Sequence, residues 1–535
     1  MELEEPNLRV EPATIVCPNL AAIMAKSALW CLCLPALLFL LLVPQDVSCA
    51  RFLVIIPTSV KSHFLMLEKY MKALADRGHE LVVVSRFPQI QPISNYVDIV
   101  LEESLGGSTP ASGVSVEQVA SMTNPIVNAI GLAKFGANDC EAVLNDPSVK
   151  QLINSDEKFD VVVNDCFHTD CFLPFAYKFG AISICASTSV LMPWANDRMG
   201  NPDNPSYIPN LFTSYSERMN FVERVINAVT TVLHKAVYHF ISDCPSQLLA
   251  RKFFGEDTPD LADLARNISL LLVNSHFSVN APRPLVPGVV EIGGMHIPKP
   301  KPLPQHLQDY LDGARHGVIY FSLGSVIQPS FLQAFSELPQ RVLWKWEADT
   351  LPGQPENVQI EKWCPQSDIL RHPNVLAFVS HGGLLGTLEA AYNGVPVVGI
   401  PFYGDQRSNV AHLKARGMAI QLQYENITKQ SVLEALRTVL DQPSYIENAR
   451  RTARIFRDRP QSALDTAIFW TEYVMRHGGA PHLRSAAVEL AWYQYLLLDV
   501  IAFTLGTILI FILAVRKFFR VLCSSKNVLV KKKQE

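Results

Sequence analysis

The sequence predicts an α/β protein with two domains, each built around a parallel sheet, followed by one C-terminal transmembrane helix. Its 535 residues are enough for two domains of ordinary size. In both halves, short apolar runs of strand length alternate with helical segments and turn residues. The apolar stretch at residues 494–515 is long enough to cross a bilayer.

Composition and charge exclude some classes of function. The formal net charge of −4 argues against nucleic acid as the main partner. A hydrophobic content of 49% with 18% charged residues is typical of a globular protein with added membrane segments. The eleven cysteines are scattered and lack the spacing of a zinc site. One or two disulfides are expected, with the pairing left open, among Cys140, Cys166, Cys171, Cys185 and Cys244.

Residues 1–49 are predicted to be an N-terminal extension followed by a signal peptide. Residues 1–23 are polar, and a second methionine, Met24, precedes a more typical secretory pattern. That pattern consists of a basic residue, an apolar core at 29–43 and small residues suited to cleavage just before residue 50. An uncleaved anchor is the alternative interpretation.

Residues 50–285 are predicted to form the first domain. The domain opens with a strand at 51–57, a loop at 58–63 and an amphipathic helix at 64–77. His63 is therefore expected just beyond the C-terminal end of the first strand. In open α/β sheets this is the edge at which ligands bind.

A carboxylate is expected at the same edge of this sheet. The apolar run at residues 159–165 predicts a buried strand that ends at Asp165. A histidine and a carboxylate at one edge can act as a base and its orienting partner. Asp160 is the competing carboxylate, but it begins the strand and should point away from that edge. Asp170, in the following loop, is a weaker candidate.

Residues 187–245 are rich in aromatic residues and methionine. One interpretation is ordinary helix core. The other is a lipophilic substrate pocket, because such pockets are mainly apolar with few polar groups. The two interpretations are compatible, and we expect each to account for part of the segment.

The second domain is predicted at residues 286–458. The proline-rich segment 282–304 is interpreted as the interdomain linker, with a first short strand of the second domain at 289–292. No nicotinamide fingerprint follows the first strand of either domain, which excludes a typical dehydrogenase. Further strand-like runs follow at 317–325, 341–346 and 358–363.

The most informative stretch is residues 363–406. It predicts a strand at 376–380, a glycine turn, a helix at 384–392 and a second strand at 395–400. A helix N-terminus offers unpaired N–H groups and partial positive charge, and it therefore binds phosphate. Glycine in the turn lets the backbone approach a ligand closely.

The same stretch carries a resemblance to a known family. Several of its residues reproduce the spacing of the UDP-glycosyltransferase signature. They are Phe378, His381, Gly382, Gly383, Glu389, Pro396, Pro401, Asp405 and Gln406. From about residue 51 to its end, the chain resembles the membrane-bound UDP-glucuronosyl/UDP-glucosyltransferases. The resemblance implies the GT-B fold, in which two Rossmann-like domains face each other across a cleft.

The resemblance also implies a role for each site residue. His63 would be the catalytic base, and Asp165 its partner. In the UDP-sugar site, Trp363 would stack on uracil, while Gln366 and Glu389 would bind the ribose. The diphosphate would be held by Ser325, His381, Gly382 and Gly383. The sugar hydroxyls would be bound by Asp405 and Gln406.

Two departures from the family pattern bear on the donor. Some relatives carry Asn where this chain has Leu385, so the diphosphate should depend more on backbone N–H groups and His381. Residues 251–260 are acidic and offer no convincing arginine for a glucuronate carboxylate. We therefore expect UDP-glucose rather than UDP-glucuronate as donor, with no metal or other cofactor.

The C-terminal part is predicted to anchor the protein in a membrane. Residues 459–493 should form helices that return to the first domain, and 494–515 the transmembrane helix. The basic tail, 516–535, should be cytosolic. Near its end, Lys532 and Lys533 form a dilysine pattern that fits retrieval to the endoplasmic reticulum. A plain basic flank is the alternative interpretation. Sequons that a lumenal body would expose lie at Asn267 and Asn426.

Together these features predict inverting transfer of a hexose from a UDP-sugar to a hydroxyl of a small lipophilic acceptor. The protein would be a single-pass protein of the endoplasmic reticulum membrane with a lumenal body. One alternative is a non-catalytic UDP-sugar- or lipid-binding membrane protein. Another is a dedicated, ceramide-type lipid glycosyltransferase. The acceptor and any homo- or hetero-oligomeric state are left open.

Overall fold

A computed structural model describes residues 49–102, 124–323 and 329–531. Within this part of the chain, two sheets are each composed of parallel strands, as predicted. The predicted signal peptide, apart from its last residue, lies outside the described residues. So do Ser325 and the dilysine pair Lys532 and Lys533.

The N-terminal sheet has seven strands in the order β3-β2-β1-β4-β5-β6-β7. Its central strands are runs of Val, Ile and Leu buried on both faces, as expected for a parallel sheet covered by helices. The strands are β1 Arg51–Ile55, β2 Glu80–Ser85, β3 Tyr96–Val100, β4 Val161–Asp165, β5 Ile182–Ser187, β6 Leu270–Val273 and β7 Val289–Glu291.

Eight α-helices of the described chain connect and cover these strands. Between α6 and α7, residues Tyr238–Asp243 form a π-helical turn. The helices are α1 Lys61–Asp76, α2 Pro125–Asn145, α3 Pro147–Ile153, α4 Pro174–Phe179, α5 Ala195–Met199, α6 Phe221–Val237, α7 Cys244–Phe254 and α8 Leu261–Arg266.

Helix α1 begins earlier than the sequence predicts. The sequence-based boundary placed residues 58–63 in a loop, but the helix starts at Lys61, so His63 lies in its first turn. Val60 precedes the helix in an extended conformation and offers no capping side chain. The start therefore lacks the Ser, Thr, Asp or Asn cap by which helix N-termini are recognised in sequences.

The C-terminal sheet has six parallel strands in the order β10-β9-β8-β11-β12-β13. Its strands are β8 Val318–Ser322, β9 Arg341–Lys345, β10 Val358–Glu361, β11 Val375–Ser380, β12 Val397–Gly399 and β13 Ala419–Gln421. Its helices are α9 Gln305–Asp312, α10 Pro329–Phe335, α11 Gln366–Arg371, α12 Leu384–Asn393, α13 Gln406–Ala415, α14 Lys429–Asp441 and α15 Pro443–Arg457.

The short strand in the proline-rich segment belongs to the first domain. The sequence-based boundary at residue 286 assigned it to the second domain, but β7 pairs in parallel with β6, with Leu271 opposite Val289. Val290 and Ile292 are buried in the N-terminal core. The boundary therefore lies after residue 292. The error arose because strand pairing between distant segments leaves no mark in the local sequence.

The chain returns to the first domain after α15, as predicted. Helix α16, Ala463–Arg476, packs on α1 and contributes Ala467 and Ile468 to the N-terminal core. The hydroxyl groups of Tyr70 and Thr471 are 2.7 Å apart, and Arg77 donates to the carboxylate of Glu472. The C-terminal segment thus stabilises the domain that carries His63.

Among the described residues, one helix has the length and composition to cross a membrane. A short turn, α17 Trp492–Tyr495, precedes the long helix α18, Leu498–Lys531. Within α18, the candidate span is Leu498–Leu522. The helix begins later than residue 494, because Leu497 adopts a positive φ that separates α17 from α18.

Two disulfides fix the N-terminal domain. Cys140 in α2 is joined to Cys171, and Cys166, which follows β4, is joined to Cys185 in β5. Cys244, the fifth cysteine considered for pairing, is free and exposed. Cys166–Cys185 links the neighbouring strands β4 and β5 close to Asp165.

Replacing Ile468 with Ala should lower the free energy of unfolding by about 2–5 kcal/mol, because it leaves a cavity between α16 and the N-terminal core. Ile468 is 2% exposed. Its neighbour Phe469, which is 43% exposed, provides the control, and Phe469→Ala should cost less than about 1 kcal/mol. Denaturant unfolding of the detergent-solubilised full chain measures both. Equal losses would show that α16 does not stabilise this domain by burial.

Candidate active site

The structure brings His63 and Asp165 together, as the sequence predicts. His63 lies in the first turn of α1, and Asp165 is the last residue of β4, which is the neighbour of β1. Nδ1 of His63 is 2.7 Å from Oδ2 of Asp165. The carboxylate of Asp165 is fully buried, while the imidazole retains a small exposed surface. The pair can therefore act on a ligand only through the imidazole.

Thr188 completes this group of side chains, and the sequence analysis missed it. Its hydroxyl oxygen is 2.7 Å from Nδ1 of His63 and 3.5 Å from Oδ1 of Asp165. Thr188 directly follows β5, the next strand of the sheet. The strand-end criterion that selected Asp165 would also have selected Thr188 if hydroxyl residues had been included.

The contact fixes the tautomer of His63. A carboxylate only accepts hydrogen bonds, so the Nδ1 atom at 2.7 Å must carry the proton. In the neutral ring, Nε2 then has a free lone pair and can accept a proton from a ligand. Phe167 packs edge-on against the imidazole, with 4.6 Å between the ring centroids, and limits its rotation.

The two competing carboxylates lie elsewhere. Oδ2 of Asp160 accepts a bond from the backbone N–H of Arg51, at the opposite end of the sheet from His63. Asp170 forms a buried ion pair with Arg198 and accepts a bond from Tyr238. Both carboxylates have structural partners, which leaves Asp165 as the partner of His63.

The predicted glycine turn links β11 to α12. Gly382 has a φ of +79°, and Gly383 immediately precedes the helix. The first intrahelical bond at this end is donated by Thr387 to the carbonyl of Gly383. The N–H groups of residues 384–386 therefore lack helical acceptors and can bind an anion.

His381 supports this turn as an uncharged ring. Burial lowers the pKa of His381 below its usual value, and the ring bonds the backbone of Ser322, at the end of β8. It also lies directly against Gly383, where a Cβ would come within 2.5 Å of Nε2. The backbone N–H groups of the turn, rather than a cationic imidazole, are thus the main source of positive potential.

Gln366 and Glu389 form the next part of the site. The amide of Gln366 donates to Oε2 of Glu389, so the two predicted ribose-binding side chains adjoin one another. Burial raises the pKa of Glu389 to about 7. Trp363, three residues before α11, is 71% exposed, and its indole face is available for stacking on a base.

Asp405 and Gln406 lie where α13 begins. Oδ2 of Asp405 accepts a bond from Asn409, and burial raises the pKa of Asp405. His63 of the other domain lies close enough to Asp405 to interact with it electrostatically and lower its pKa. The side-chain oxygen of Gln406 accepts bonds from the N–H groups of Phe402 and Tyr403, leaving its amide N–H groups as donors.

Contacts outside the site hold the two domains together. Lys69, on α1, donates to the carbonyl of His296, and Nε2 of His296 is 3.1 Å from the carbonyl of Leu385 in the first turn of α12. Burial lowers the pKa of His296 to about 4, so its ring is neutral and Nε2 donates this bond. The helix that carries His63 is thereby connected to the helix that follows the glycine turn.

A second connection between the two domains lies at the C-terminal end of α13. Arg416 forms an ion pair with Glu217, with 3.2 Å between the nearest atoms, and its Nε donates to the carbonyl of Ser278. Neither this contact nor the connection through His296 has a sequence motif, because each joins segments that are far apart in the chain.

Much of the aromatic segment at 187–245 is core. Met192, Trp194 and Met199 are buried within one cluster of the first domain, together with Phe212. The core interpretation therefore accounts for these residues. The aromatic ring that touches the imidazole is Phe167, outside that segment.

The acidic segment at residues 251–260 packs within the first domain. Arg251 forms an ion pair with Asp260, and Phe254 packs edge-on against Phe175 of α4. Residues 251–260 thus pack on helices of the first domain. The expectation that their acidity disfavours glucuronate stays a prediction.

The two sequons differ in accessibility. Both asparagines are exposed, but Arg484 donates to Oδ1 of Asn267, and Ser269 is buried. Asn426 and Thr428 are both exposed, in a turn before α14. Asn426 is therefore the more accessible of the two.

Replacing Gly382 with Ala should weaken binding of UDP roughly tenfold or more. A Cβ would lie 2.5 Å from Cγ2 of Val410 and 3.0 Å from the carbonyl oxygen of Gln406. The turn would have to move, and its N–H groups would move with it. Calorimetric titration with UDP measures the change.

Gly180→Ala is the matched control for Gly382→Ala. Gly180 also has a positive φ, +61°, but a Cβ there would meet no atom within 4 Å. UDP should bind this variant as it binds the wild type. If the Gly382→Ala variant also bound UDP normally, the turn would not be the phosphate site.

Binding of UDP-glucose should strengthen between pH 6 and pH 7.5, by about three- to tenfold. The pKa of Glu389 is raised to about 7, so its carboxylate is largely protonated below that pH. The ionised form accepts ribose hydroxyls at both oxygens, and the ligand has no phosphate that titrates in this range. Glu389→Gln should remove the pH dependence. An unchanged profile in that variant would assign the titration to another group.

Comparison with known proteins identifies the family. A family model described as "UDP-glucoronosyl and UDP-glucosyl transferase" matches residues 51–534. UDP-glucosyltransferase 2 of Dactylopius coccus is 41% identical over 499 residues, covering 90% of this chain and 96% of that protein. UDP-glucuronosyltransferase 1A7 of Mus musculus is 32% identical over 503 residues, covering 89% and 92%.

Solved structures share the fold at low sequence identity. The glycosyltransferase VinC, in complex with DTDP, has a TM-score of 0.57 at 15% identity and covers 80% of this chain and all of its own. A UDP-glucosyltransferase from Polygonum tinctorium has a TM-score of 0.54 at 16% identity, covering 80% and 99%. The predicted GT-B fold is confirmed. With the family match and these relatives, the chain belongs to the UDP-glucuronosyl and UDP-glucosyl transferase family, as a glycosyltransferase that takes a hexose from a UDP-sugar.

Proposed function

We propose that this enzyme transfers glucose from UDP-glucose to a hydroxyl of a small lipophilic acceptor, with inversion at the anomeric carbon. One observation carries the proposal. A histidine held by a buried carboxylate in the first domain faces Asp405, which lies beside the glycine turn in the second domain. An acceptor activated by His63 and a sugar bound by Asp405 can therefore meet in one cleft.

In the proposed reaction, Nε2 of His63 takes the proton of the acceptor hydroxyl. The acceptor oxygen forms a bond to the anomeric carbon as the bond from that carbon to the diphosphate breaks. Asp165 stabilises the imidazolium that forms, and Thr188 holds the same ring edge. The backbone N–H groups after Gly383 stabilise the negative charge that develops on UDP. Attack from the face opposite the leaving group inverts the configuration.

The surroundings of Asp405 favour a neutral sugar. Burial raises the pKa of this carboxyl, and the electrostatic interaction with His63 lowers it. A glucuronate carboxylate placed beside Asp405 would add a second acidic group where burial already disfavours the charged form. The hydroxyls of glucose would instead donate to Asp405. The greater identity to UDP-glucosyltransferase 2 than to the glucuronosyltransferase supports the same choice.

The placement of the acceptor follows from the side chains around His63. Phe167 lies edge-on to the imidazole, with 4.6 Å between the ring centroids, and provides an apolar surface beside the base. An aromatic or aliphatic aglycone can pack there while its hydroxyl reaches the base. This arrangement supports small lipophilic acceptors over charged ones.

We also propose the cellular placement predicted from the sequence. Helix α18 provides one candidate span, and the basic residues after it favour a cytosolic tail. The body would then lie in the lumen of the endoplasmic reticulum, with Asn426 as the preferred glycan site. Lys532 and Lys533 would serve as the retrieval signal.

The direct test uses microsomes that contain the full chain. They are incubated with labelled UDP-glucose or UDP-glucuronate and a mixed pool of phenols, sterols and ceramide. We expect transfer from UDP-glucose to a phenol or sterol, with a β-linked product by NMR. Transfer from UDP-glucuronate alone would contradict the donor assignment, and transfer to ceramide alone would favour the lipid-specific alternative.

Replacing His63 with Ala should lower kcat by about 10²–10⁴-fold, because the acceptor would lose its general base. Binding of UDP should remain within about twofold of the wild-type value, since His63 lies in the other domain. Steady-state kinetics and calorimetric titration measure the two effects. Full retained turnover would remove the base assignment.

Asp165→Asn should reduce kcat in the same direction, because the amide can also present a hydrogen-bond donor to Nδ1 and so disfavour the active tautomer. The matched control is Asp160→Asn, at the opposite end of the same strand, where the carboxylate bonds the backbone of Arg51. That variant should keep the wild-type kcat. Equal effects would indicate a structural role for Asp165.

A further inference from the structure

Helix α6, Phe221–Val237, presents an apolar face to the outside of the protein. Large apolar residues along this helix are strongly exposed, with Phe221 at 71% and Val232 at 67%. The guanidinium of Arg224 lies 5.9 Å from the ring centroid of Phe221, but each of the residues named next is at least 43% exposed. The α6 apolar face consists of Phe221, Val222, Val225, Ile226, Val229, Val232 and Leu233. Their spacing of three, four and seven residues places them along one continuous stripe.

The opposite face of α6 is polar and is the one that is buried. The amide of Asn227 donates to the carbonyls of Pro205 and Ile208, and its oxygen accepts from the N–H of Asn210. His234 lies 3.0 Å from the carbonyl of Pro125. Thr230 and Thr231 are buried on this face as well.

This arrangement reverses the usual pattern of a surface helix. A helix on a water-exposed surface turns its apolar stripe inward and its polar face outward. A stripe of this length, about 25 Å for a 17-residue helix, exceeds the scattered apolar residues of ordinary surfaces. Phe240 and Leu248, both about 70% exposed, continue the exposed apolar surface beyond the helix.

The position of α6 points to the partner. Lys235, near the end of α6, forms an ion pair with Asp197 of α5, at 2.8 Å. Gly200, which ends α5, lies against residues 485–488; a Cβ there would be 3.1 Å from Ser485 and from Val488. That segment leads within ten residues into the candidate membrane span, Leu498–Leu522. Helix α6 is thus tied to the part of the body from which the chain enters the bilayer.

We propose that the α6 apolar face lies in the surface of the bilayer that α18 crosses, as a second membrane contact of the protein. The partner is the acyl boundary of the lipid leaflet, which buries apolar side chains at the depth of the headgroups. The polar face of α6 bonds the protein body instead of water. One transmembrane helix and one surface helix together would fix the orientation of the body relative to the membrane.

The test uses the full chain in phosphatidylcholine vesicles that contain a small fraction of a diazirine phospholipid. After photolysis, mass spectrometry maps the lipid adducts. We expect adducts at residues 221–233 as well as in Leu498–Leu522, and far fewer at other exposed apolar residues such as Ile455, which is 47% exposed. Adducts confined to the span would overturn the proposal.

A variant and its control sharpen this test. Replacing Val225, Val229 and Val232 together with Glu should reduce adducts on α6 about tenfold or more, with the adducts on the span unchanged. Ile455→Glu, on α15, introduces charge at an exposed apolar residue elsewhere and should leave the labelling of α6 unaltered. Bound UDP, measured in each sample, reports that the body remains folded.

The competing occupant is a second copy of this chain. In that case a Val229→Cys variant would form disulfide-linked dimers through α6 in the same vesicles, and α6 would take up little lipid label. That result would overturn the proposal and assign the face to an oligomer. Abundant lipid adducts with no α6–α6 dimer support the membrane contact.

Discussion

The hydrogen bond between His63 and Asp165 is the interaction on which the geometry of the site depends. It holds Nδ1 protonated against a buried carboxylate and leaves the lone pair of Nε2 free. The bond is a direct result of strand order. His63 lies in the helix that follows β1, Asp165 ends β4, and Thr188 follows β5. These three strands are consecutive neighbours in the N-terminal sheet. Parallel pairing brings all three to one edge, and Cys166–Cys185 fixes two of these strands together.

The second sheet repeats this principle for the proposed donor site. Its neighbouring strands β11 and β12 lead to the glycine turn and to Asp405. Catalysis by two half-sites requires that the edges of the two sheets keep a fixed relation. Three separate contacts supply it: α16 packed on α1, Arg416 on the backbone of the first domain, and the connection from Lys69 through His296 to α12. Each acts on a helix that also carries or follows a site residue.

The sequence predicted those features that follow from local patterning. Strand ends located His63 and Asp165 at one edge, and the glycine turn was placed correctly between β11 and α12. For features set by contacts between distant segments, the predictions were wrong or absent. The strand β7 joins the first sheet, and His296 bridges the domains, without any local motif. Helix α1 begins early because no capping side chain marks its start. The aromatic residues at 192–199 are core, since burial depends on neighbours outside the segment.

Helix α6 shows why amphipathic patterning alone does not determine which face of a helix is buried. Its sequence has a clear apolar stripe, and the usual rule would turn that stripe inward. The polar face is buried instead because the loops beneath it present backbone carbonyls and N–H groups that need partners, at Pro205, Ile208 and Asn210. Leaving such groups unpaired would cost roughly 1–3 kcal/mol each. The apolar stripe has an alternative apolar environment in a protein anchored by α18, whereas the buried backbone groups have no alternative partners. On the membrane contact proposed for α6, the hydrogen bonds therefore decide the orientation of the helix, and the stripe would face the lipid.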